Sequence, residues 1–289
     1  MTGRLSVVAT PIGNLDDVTL RALQTLREAD AILAEDTRRT RVLCTHHGVQ
    51  TPLRAFHAHS SDEKVAAFAR ELAEGASFAL VTDAGTPLVS DPGARLVTAA
   101  AALGVRVEPI PGPSAPLAAL SASGLRVGAF RFVGFLPRSG GRRKKAMAAM
   151  REAEEATVLF EAANRLAKTL RELSDAIGPA RPAAVCRELT KLHEEIARGS
   201  LSELAARFAE GARGEVTLVV EGRGEETEDA PLDRDAALDR ARALLDEGLR
   251  TQEAARQLSE ELSVPSGEAY ALVLEARVLE ARDLEAREG

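Results

Sequence analysis

The sequence has few residues of the kinds that build metal centres, disulfide frameworks or membrane spans. It contains two cysteines among 289 residues, no tryptophan and one tyrosine, and aromatic residues make up 3%. Cys44 and Cys186 form no Cys-x-x-Cys pair, and with five scattered histidines they give no metal-ligand spacing. No apolar run approaches the roughly 20 residues that a transmembrane helix needs. We therefore expect no metal and no membrane contact.

Signatures of secretion and of common nucleotide-binding loops are also missing. The apolar run at residues 5–9 is too short for a secretory signal and ends at Thr10-Pro11, which predicts a cytoplasmic protein. The turn that follows matches neither Gly-x-x-x-x-Gly-Lys-[Ser/Thr] nor Gly-x-Gly-x-x-Gly. The sequence therefore argues against a P-loop ATPase and against a Rossmann NAD enzyme.

Acidic residues exceed basic ones, but the excess lies near the C-terminus. The formal net charge is −7. From Leu232 onward there are 8 Lys and Arg against 14 Asp and Glu, and the preceding residues carry 29 against 30. The main body is thus close to neutral, and nucleic-acid binding would need a local basic patch.

What the sequence does contain is a series of apolar runs that lead into short polar turns and helical patterns. The central one, at residues 78–81, enters a loop at residues 83–87 in which Gly85 permits close approach of a ligand to the backbone. Other strands are predicted at residues 5–9, 31–34, 105–110, 130–137, 157–160, 183–186 and 215–220. This alternation predicts an α/β protein of βαβ units, with ligands at the carboxyl ends of the strands.

The pattern divides the chain into four parts. We predict two α/β domains at residues 1–124 and 125–221, and a charged, non-periodic linker at residues 222–232. Residues 233–289 have three helical patterns and predict a small helical domain. Its last two helices resemble a helix-turn-helix, but most such pairs are merely packed helices, and the acidity of the segment argues against DNA binding.

Two groups of cations follow predicted strands. The first, here called the arginine rim, is either a solvated turn or a surface that binds substrate phosphates. The second is either a solvated helix N-terminus or an anion-binding cluster, and the second alternative is favoured because the helix dipole repels cations there. The rim consists of Arg38, Arg39 and Arg41; the cluster comprises Arg138, Arg142, Arg143, Lys144 and Lys145.

Seven short stretches, in this order, resemble the tetrapyrrole methylase superfamily of S-adenosylmethionine (SAM) enzymes. They are residues 9–15, 35–38, 83–87, 90–93, 111–115, 134–137 and 187–191. Together the seven are specific, and the resemblance covers roughly residues 5–221. It implies two α/β domains with the cofactor in the cleft between them, a small C-terminal helical domain as a variable addition, and a homodimer.

The resemblance also implies a cofactor site and an acceptor. Within the superfamily the chain is similar to bacterial enzymes that methylate the ribose 2′-hydroxyl of a cytidine in the decoding region of 16S ribosomal RNA, within the small ribosomal subunit. The histidine of a family Pro-His pair is absent, since Ala163-Asn164 stand there. SAM is expected against Pro11, Asp83, Gly85, Thr86, Ser114, Ala115, Phe160 and Glu161.

Methyl transfer to a ribose hydroxyl needs in-line positioning and benefits from a general base. The residues do not single out that base: Asp36 and Glu188 are candidates, and either is equally an ion-pair partner of Arg38 or Arg187. Two other functions stay open. One is the same chemistry on a tetrapyrrole or a protein side chain, against which the arginine rim and the basic cluster argue. The other is a non-catalytic ribosome-binding protein, which predicts degraded cofactor loops.

Overall fold

The computed structural model describes residues 3–57, 60–88, 93–223, 234–262, 264 and 266–288. The chain forms two compact units, Met1–Arg223 and Gly224–Gly289. Both predicted α/β halves lie in the first unit, where each is built on a five-stranded sheet and is here called the first or the second lobe. Most of the predicted linker, and three of the four residues of the 90–93 stretch, lie outside the described residues.

The first lobe is a parallel sheet in the order β3-β2-β4-β1-β5. Its strands are β1 (Arg4–Val8), β2 (Ala31–Ala34), β3 (Leu53–Ala55), β4 (Ser77–Leu80) and β5 (Arg106–Ile110). Its helices are α1 (Leu20–Glu28), α2 (Thr37–His46), α3 (Asp62–Ala73), α4 (Ala94–Ala102) and α5 (Ala115–Ser123). Every residue of β2 is buried, as expected for a strand covered on both faces. The parallel arrangement brings the loops after β1, β2, β4 and β5 to one edge.

The second lobe differs from the predicted βαβ series because most of its strand pairs are antiparallel. Its strands are β6 (Phe130–Phe135), β7 (Ala156–Ala162), β8 (Pro182–Arg187), β9 (Glu195–Ser200) and β10 (Glu215–Val220), and its helices are α6 (Gly140–Arg151), α7 (Leu166–Ile177) and α8 (Leu201–Arg207). In the order β6-β7-β10-β8-β9, only β6 and β7 pair in parallel. The predicted series of βαβ units, in which neighbouring strands are parallel, is therefore wrong for the second lobe, although the α/β class is confirmed.

Helix α5 joins the two lobes. Its Ala119 is fully buried in one cluster with Ile12 of the first lobe and with Val158, Ala184 and Val219 of the second sheet. The guanidinium Nε of Arg198, on β9, also donates to the carbonyl of Ser123 at the end of α5, at 2.9 Å. The lobes consequently share an apolar cluster, although each also has core clusters of its own, and the space between them is a defined cleft.

The described residues of the C-terminal unit form three helices, which confirms the predicted helical addition. They are α9 (Arg234–Asp246), α10 (Thr251–Leu262) and α11 (Ser266–Glu288). Ala254 and Leu258 of α10 are buried in an apolar cluster with Leu244 of α9 and Val273 of α11. Within the described ranges, every helix of the protein falls short of what a bilayer crossing requires in length and apolarity.

Candidate active site

Three loops at the carboxyl ends of β1, β4 and β5 are hydrogen-bonded to one another. Thr10 and Gly85 exchange two backbone hydrogen bonds, each 2.9 Å long, and form an isolated antiparallel bridge. The Thr86 hydroxyl donates to the carbonyl of Pro113 at 3.3 Å. These contacts hold three of the resembling stretches in one rigid wall.

Gly85 has a backbone conformation that explains why this position is glycine. Its φ is +80°, in the left-handed region that side chains other than glycine rarely adopt. A Cβ built there would make only an ordinary van der Waals contact, 3.5 Å from Cγ2 of Ile12, so the backbone conformation and not a lack of space requires glycine. The residue therefore keeps the bridge to Thr10 while presenting bare backbone to the cleft.

A cavity of about 340 Å³ lies between the lobes against this wall. Six of the eight residues predicted to bind the cofactor line it: Gly85, Thr86, Ser114, Ala115, Phe160 and Glu161. Pro11 and Asp83 are not among its lining residues. The Asp83 carboxylate instead accepts the backbone N–H of Asp36 at 3.0 Å and lies 3.6 Å from the guanidinium of Arg39.

The second lobe contributes a wall that the sequence patterns did not indicate. Strand β10 runs antiparallel to β7 and β8, so its first residues lie beside the carboxyl ends of those strands. Val216, for example, pairs with both Glu161 and Arg187. Further lining residues that were not predicted are Ile12, Ala84, Pro116, Phe135, Ala162, Cys186, Leu189, Gly214, Glu215, Val216 and Thr217. Four of them, Ile12, Ala84, Phe135 and Leu189, belong to resembling stretches, which was the available signal.

Glu161 anchors a buried polar network behind the cavity wall. Its side chain is 0% exposed; Oε1 accepts from the Arg165 guanidinium at 2.5 Å and from the backbone N–H of Ala162 at 2.8 Å. Its Oε2 accepts from the Thr169 hydroxyl at 2.6 Å. A buried carboxylate with such partners is both charge-compensated and fixed in position. The predicted wall position is thus held from behind by α7.

Arg143 belongs to this network, so its predicted role in binding phosphate is wrong. The residue is 5% exposed, and its guanidinium donates to Thr169 Oγ1 at 2.8 Å, to the carbonyl of Pro137 at 3.0 Å and to the Glu172 carboxylate at 2.7 Å. All its donor groups point into the protein. Its neighbours Arg142, Lys144 and Lys145 are exposed, and no described residue forms an ion pair with them. We call these three residues the α6 cations.

The arginine rim is the first turns of α2 rather than an irregular turn. Asp36 is the N-cap: one of its carboxylate oxygens accepts the backbone N–H of Arg38 at 2.8 Å, and the other accepts the Arg38 guanidinium at 2.9 Å. The Arg38 side chain is 90% exposed all the same, and Arg39 and Arg41 are exposed as well. The rim therefore presents three cations to solvent, although Asp36 and Asp83 partly neutralise two of them.

Neither candidate general base lines the cavity. Hydrogen bonds from Arg38 lower the pKa of Asp36 to about 2, so this carboxylate is a weaker base than an ordinary aspartate. Glu188 Oε1 accepts the backbone N–H of Glu215 and the Lys191 ammonium, each at 2.9 Å, and these bonds lower its pKa also. Both residues are therefore ion-pair partners, Glu188 with Lys191 rather than Arg187.

One grouping of metal-ligand side chains was not foreseen from their spacing. Ligand atoms of Asp16, His46 and His47 lie within 4.8 Å of one another at the end of α2. Nε2 of His46 is 3.2 Å from the Asp16 carboxylate, and Nε2 of His47 is 2.9 Å from the carbonyl of Leu15. The three are thus already paired locally, and none of them lines the cavity.

Comparison with known proteins places this geometry in context. The family model for tetrapyrrole (corrin/porphyrin) methylases matches residues 4–205. A protein of Mesorhizobium japonicum named ribosomal RNA small subunit methyltransferase I is 48% identical over 236 residues, which are 81% of this chain and 80% of that protein. A protein of Thermotoga maritima with the same name is 43% identical over 222 residues, which are 76% of this chain and 99% of that protein.

A solved structure has the same fold at much lower identity. The uroporphyrin-III C-methyltransferase of Thermus thermophilus, in complex with S-adenosyl homocysteine, is 20% identical and has a TM-score of 0.57. The match covers 76% of this chain and 97% of that one. The sequence identity to the two methyltransferase relatives is thus more than twice the identity to the protein of the solved structure.

Proposed function

Because this chain belongs to the tetrapyrrole (corrin/porphyrin) methylase family, we propose that it transfers a methyl group from SAM to ribosomal RNA of the small subunit. The acceptor we propose is the 2′-hydroxyl of a cytidine ribose in the decoding region of 16S RNA. The observation that carries this proposal is the cleft cavity, lined by six residues predicted for the cofactor, in a chain whose curated relatives bear the name of an RNA methyltransferase.

The cavity suits SAM in size and in chemistry. Sites for ligands of this size have volumes of about 300–1,000 Å³ and combine apolar walls with a few polar groups. Here small residues, Gly85 and Ala115 among them, leave room for a flat ring, and Ile12 and Phe160 supply apolar surface. The Thr86 and Ser114 hydroxyls and exposed backbone supply hydrogen-bonding groups. We infer that these residues hold the cofactor.

The residues of the chain contribute mainly by positioning the reactants. When bound, SAM supplies an electrophilic methyl group on a sulfonium, and the acceptor oxygen must approach that methyl in line. The rigid wall fixed by the Thr10–Gly85 bridge suits this requirement. Both carboxylates that line the cavity, Glu161 and Glu215, are already ion-paired. We therefore assign catalysis to orientation and do not assign a general base.

RNA is favoured over a tetrapyrrole or a protein acceptor. The rim and the α6 cations provide exposed positive charge in a nearly neutral first unit, which suits a polyanion. A non-catalytic ribosome-binding protein would not need intact cofactor loops, and here the loops are hydrogen-bonded into one wall. The resemblance also predicts a homodimer, which sedimentation measurements test.

The direct test is methyl transfer from labelled SAM to small subunits isolated from cells that lack this protein. We expect label in 16S RNA at one cytidine ribose, and none in subunits from cells that contain the protein, because their site is already modified. Label in protein, or label only in a tetrapyrrole, would show that this chain acts on a different acceptor from the one proposed.

The α6 cations give a prediction about salt. Each phosphate contact contributes about −0.7 to −0.9 to the logarithmic salt slope of RNA affinity. Replacing Arg142, Lys144 and Lys145 together by glutamine should therefore make the slope shallower by about 2 to 3 and reduce RNA methylation. SAM affinity should not change, because none of the three lines the cavity.

The control is neutralisation of three other exposed arginines of the first unit, Arg70, Arg126 and Arg171. Affinity for the decoding-region RNA is measured from 50 to 400 mM salt for wild type and both triple variants. Equal slopes for all three proteins would show that the α6 cations are only a solvated helix end.

The C-terminal unit is expected to be dispensable for the cofactor. All cavity residues lie in Met1–Arg223, and the apolar cluster of the three C-terminal helices contains only residues of that unit. The relative from Thermotoga maritima is matched over 99% of its length by only 222 residues of this chain. A protein ending at Arg223 should therefore fold and bind SAM as the full chain does. Calorimetric titration measures this. A truncated protein that is insoluble, or that does not bind SAM, would show that the C-terminal unit is needed for folding or for cofactor binding.

A further inference from the structure

A register shift in β6 turns one phenylalanine toward the cleft. Phe132 pairs with Val158 and Phe135 pairs with Phe160, so three residues on β6 span two on β7. Side chains alternate between faces along a strand, and one extra residue moves everything after it to the opposite face. Gly134, with φ +64°, lies within this irregularity. Phe135 consequently shares a face with Phe132 and Phe160.

The three rings form a cluster whose outer member is exposed. The ring centroids of Phe132 and Phe160 are 4.9 Å apart, and those of Phe135 and Phe160 are 5.6 Å apart at a tilted angle. Phe135 and Phe160 both line the cavity, yet Phe135 is 56% exposed. The chain has only eight phenylalanines and no tryptophan. Because Phe135 both lines the cavity and stays largely exposed, its ring is accessible to a ligand that reaches the cavity.

Positive charge lies close to this ring along the chain. Helix α6 begins at Gly140, five residues after Phe135, and carries the exposed α6 cations in its first turns. Their neighbour Arg143 fixes the start of this helix, since its guanidinium binds the carbonyl of Pro137. A stacking ring beside cations that bind phosphate is the combination by which proteins hold single-stranded nucleic acid.

We propose that Phe135 is the stacking platform for the base of the nucleotide that receives the methyl group, and that the α6 cations bind its flanking phosphates. This inference rests on the proposed function and adds the residue that recognises the acceptor. A base that is unstacked from the RNA lies on the open face of Phe135, which brings its own ribose to the cavity mouth. Enzymes that modify nucleotides within structured RNA or DNA use such extrusion to reach the target.

The adenine of SAM is the other flat ring that this site would meet. The acceptor base is the better occupant of Phe135 because this ring is 56% exposed, whereas Phe160 is only partly exposed. A ligand that enters last meets the outer ring. The two candidate ligands of Phe135, adenine and the acceptor base, can be distinguished by experiment. If the ring stacks on adenine, its replacement weakens SAM binding even when no RNA is present.

The test compares Phe135→Leu and Phe135→Tyr with Phe130→Leu in the full-length protein. Phe130 lies on the same strand, is 42% exposed and does not line the cavity. Base–aromatic stacking is worth about 1–3 kcal/mol, which is about 5- to 150-fold, so Phe135→Leu should raise KM for small subunits by a factor in that range. Phe135→Tyr should restore it, and Phe130→Leu should behave as wild type. SAM affinity from calorimetry should be equal in all four proteins.

Each other outcome has a definite meaning. A weaker SAM affinity with an unchanged KM for subunits would assign Phe135 to adenine and overturn the proposal. A change of oligomeric state in Phe135→Leu would assign the ring to a second copy of the chain, with the same consequence. Equal effects of Phe130→Leu and Phe135→Leu would also overturn it. If wild-type protein does not methylate subunits at all, the proposed function fails instead.

Discussion

Replacing Arg143 by methionine is expected to lower the free energy of unfolding by about 3 kcal/mol, although the residue lies among four surface-type cations in the sequence. Removing one partner of a buried ion pair costs about 3–5 kcal/mol, because the remaining polar groups lose their compensation. Thr169, the carbonyl of Pro137 and the Glu172 carboxylate would all lose a donor. The lower end of that range applies since Glu172 is 35% exposed and water can partly replace the guanidinium.

The matched control is the adjacent residue. Arg142→Met removes the same charge at an exposed position, where such changes are usually within about 0.5 kcal/mol. Urea unfolding of both variants and of Arg143→Lys measures the difference; lysine keeps the charge and loses the three-way hydrogen bonding, so an intermediate value is expected. Equal stability of Arg142→Met and Arg143→Met would mean that the network does not hold the second lobe.

The sequence contained a signal for the position of Arg143 that the charge pattern obscured. Arg143, Met147 and Met150 are the buried residues of α6, at the spacing i, i+4, i+7 that defines one helix face. The five cations in eight residues suggest a single exposed surface, because charged side chains are usually exposed to solvent. Helical periodicity distinguishes them, since only one of the four consecutive cations lies on the buried face of the helix. The acceptor for that arginine, Glu172, lies 29 residues away and is not predictable from local sequence.

The fold of the first lobe was predictable from local patterns, and that of the second lobe was not. Apolar runs bounded by turns gave β1, β2, β4 and β5, and a parallel sheet follows when helices alternate with strands. The same alternation failed for β10, because β9, which is only partly apolar, was missed. The direction of β10 relative to β8 depends on whether a further strand lies between them in the sequence. Because β9 was not predicted, β10 was expected to run parallel to β8, and the antiparallel wall that begins at Gly214 was not foreseen.

The cavity between the lobes was predictable from the short loops that line it, and the contacts of the charged residues around it were not. Gly85 and Ser114 line the cavity because each follows a parallel strand, and parallel strands end at one edge. Asp83 was expected there also, but its carboxylate is engaged by the backbone of Asp36, 47 residues away in sequence. Such a contact depends on which loops become neighbours in the folded protein, and that cannot be inferred from the local sequence of either loop.

The cavity itself is tested by filling it. Ala115 is the first residue of α5, follows the N-cap Ser114 and lines the cavity. Ala115→Leu adds three carbons to the volume that we assign to SAM, and overpacking costs about 1–3 kcal/mol. Since 1.4 kcal/mol is tenfold in affinity, SAM binding should weaken by about 5- to 150-fold. Methylation at low SAM concentration should fall in parallel.

Ala115→Leu should affect SAM affinity and the free energy of unfolding differently. Because Ala115 lines the cavity, the added side chain is expected to occupy it, and urea unfolding should be nearly unaffected. Ser121→Leu is the control, because Ser121 is exposed on the same helix and outside the cavity lining. It should bind SAM as wild type does, as should Phe135→Leu if that ring serves the acceptor. If Ala115→Leu binds SAM normally in calorimetry, the cofactor lies elsewhere, because three added carbons and a bound ligand cannot share the volume beside Gly85.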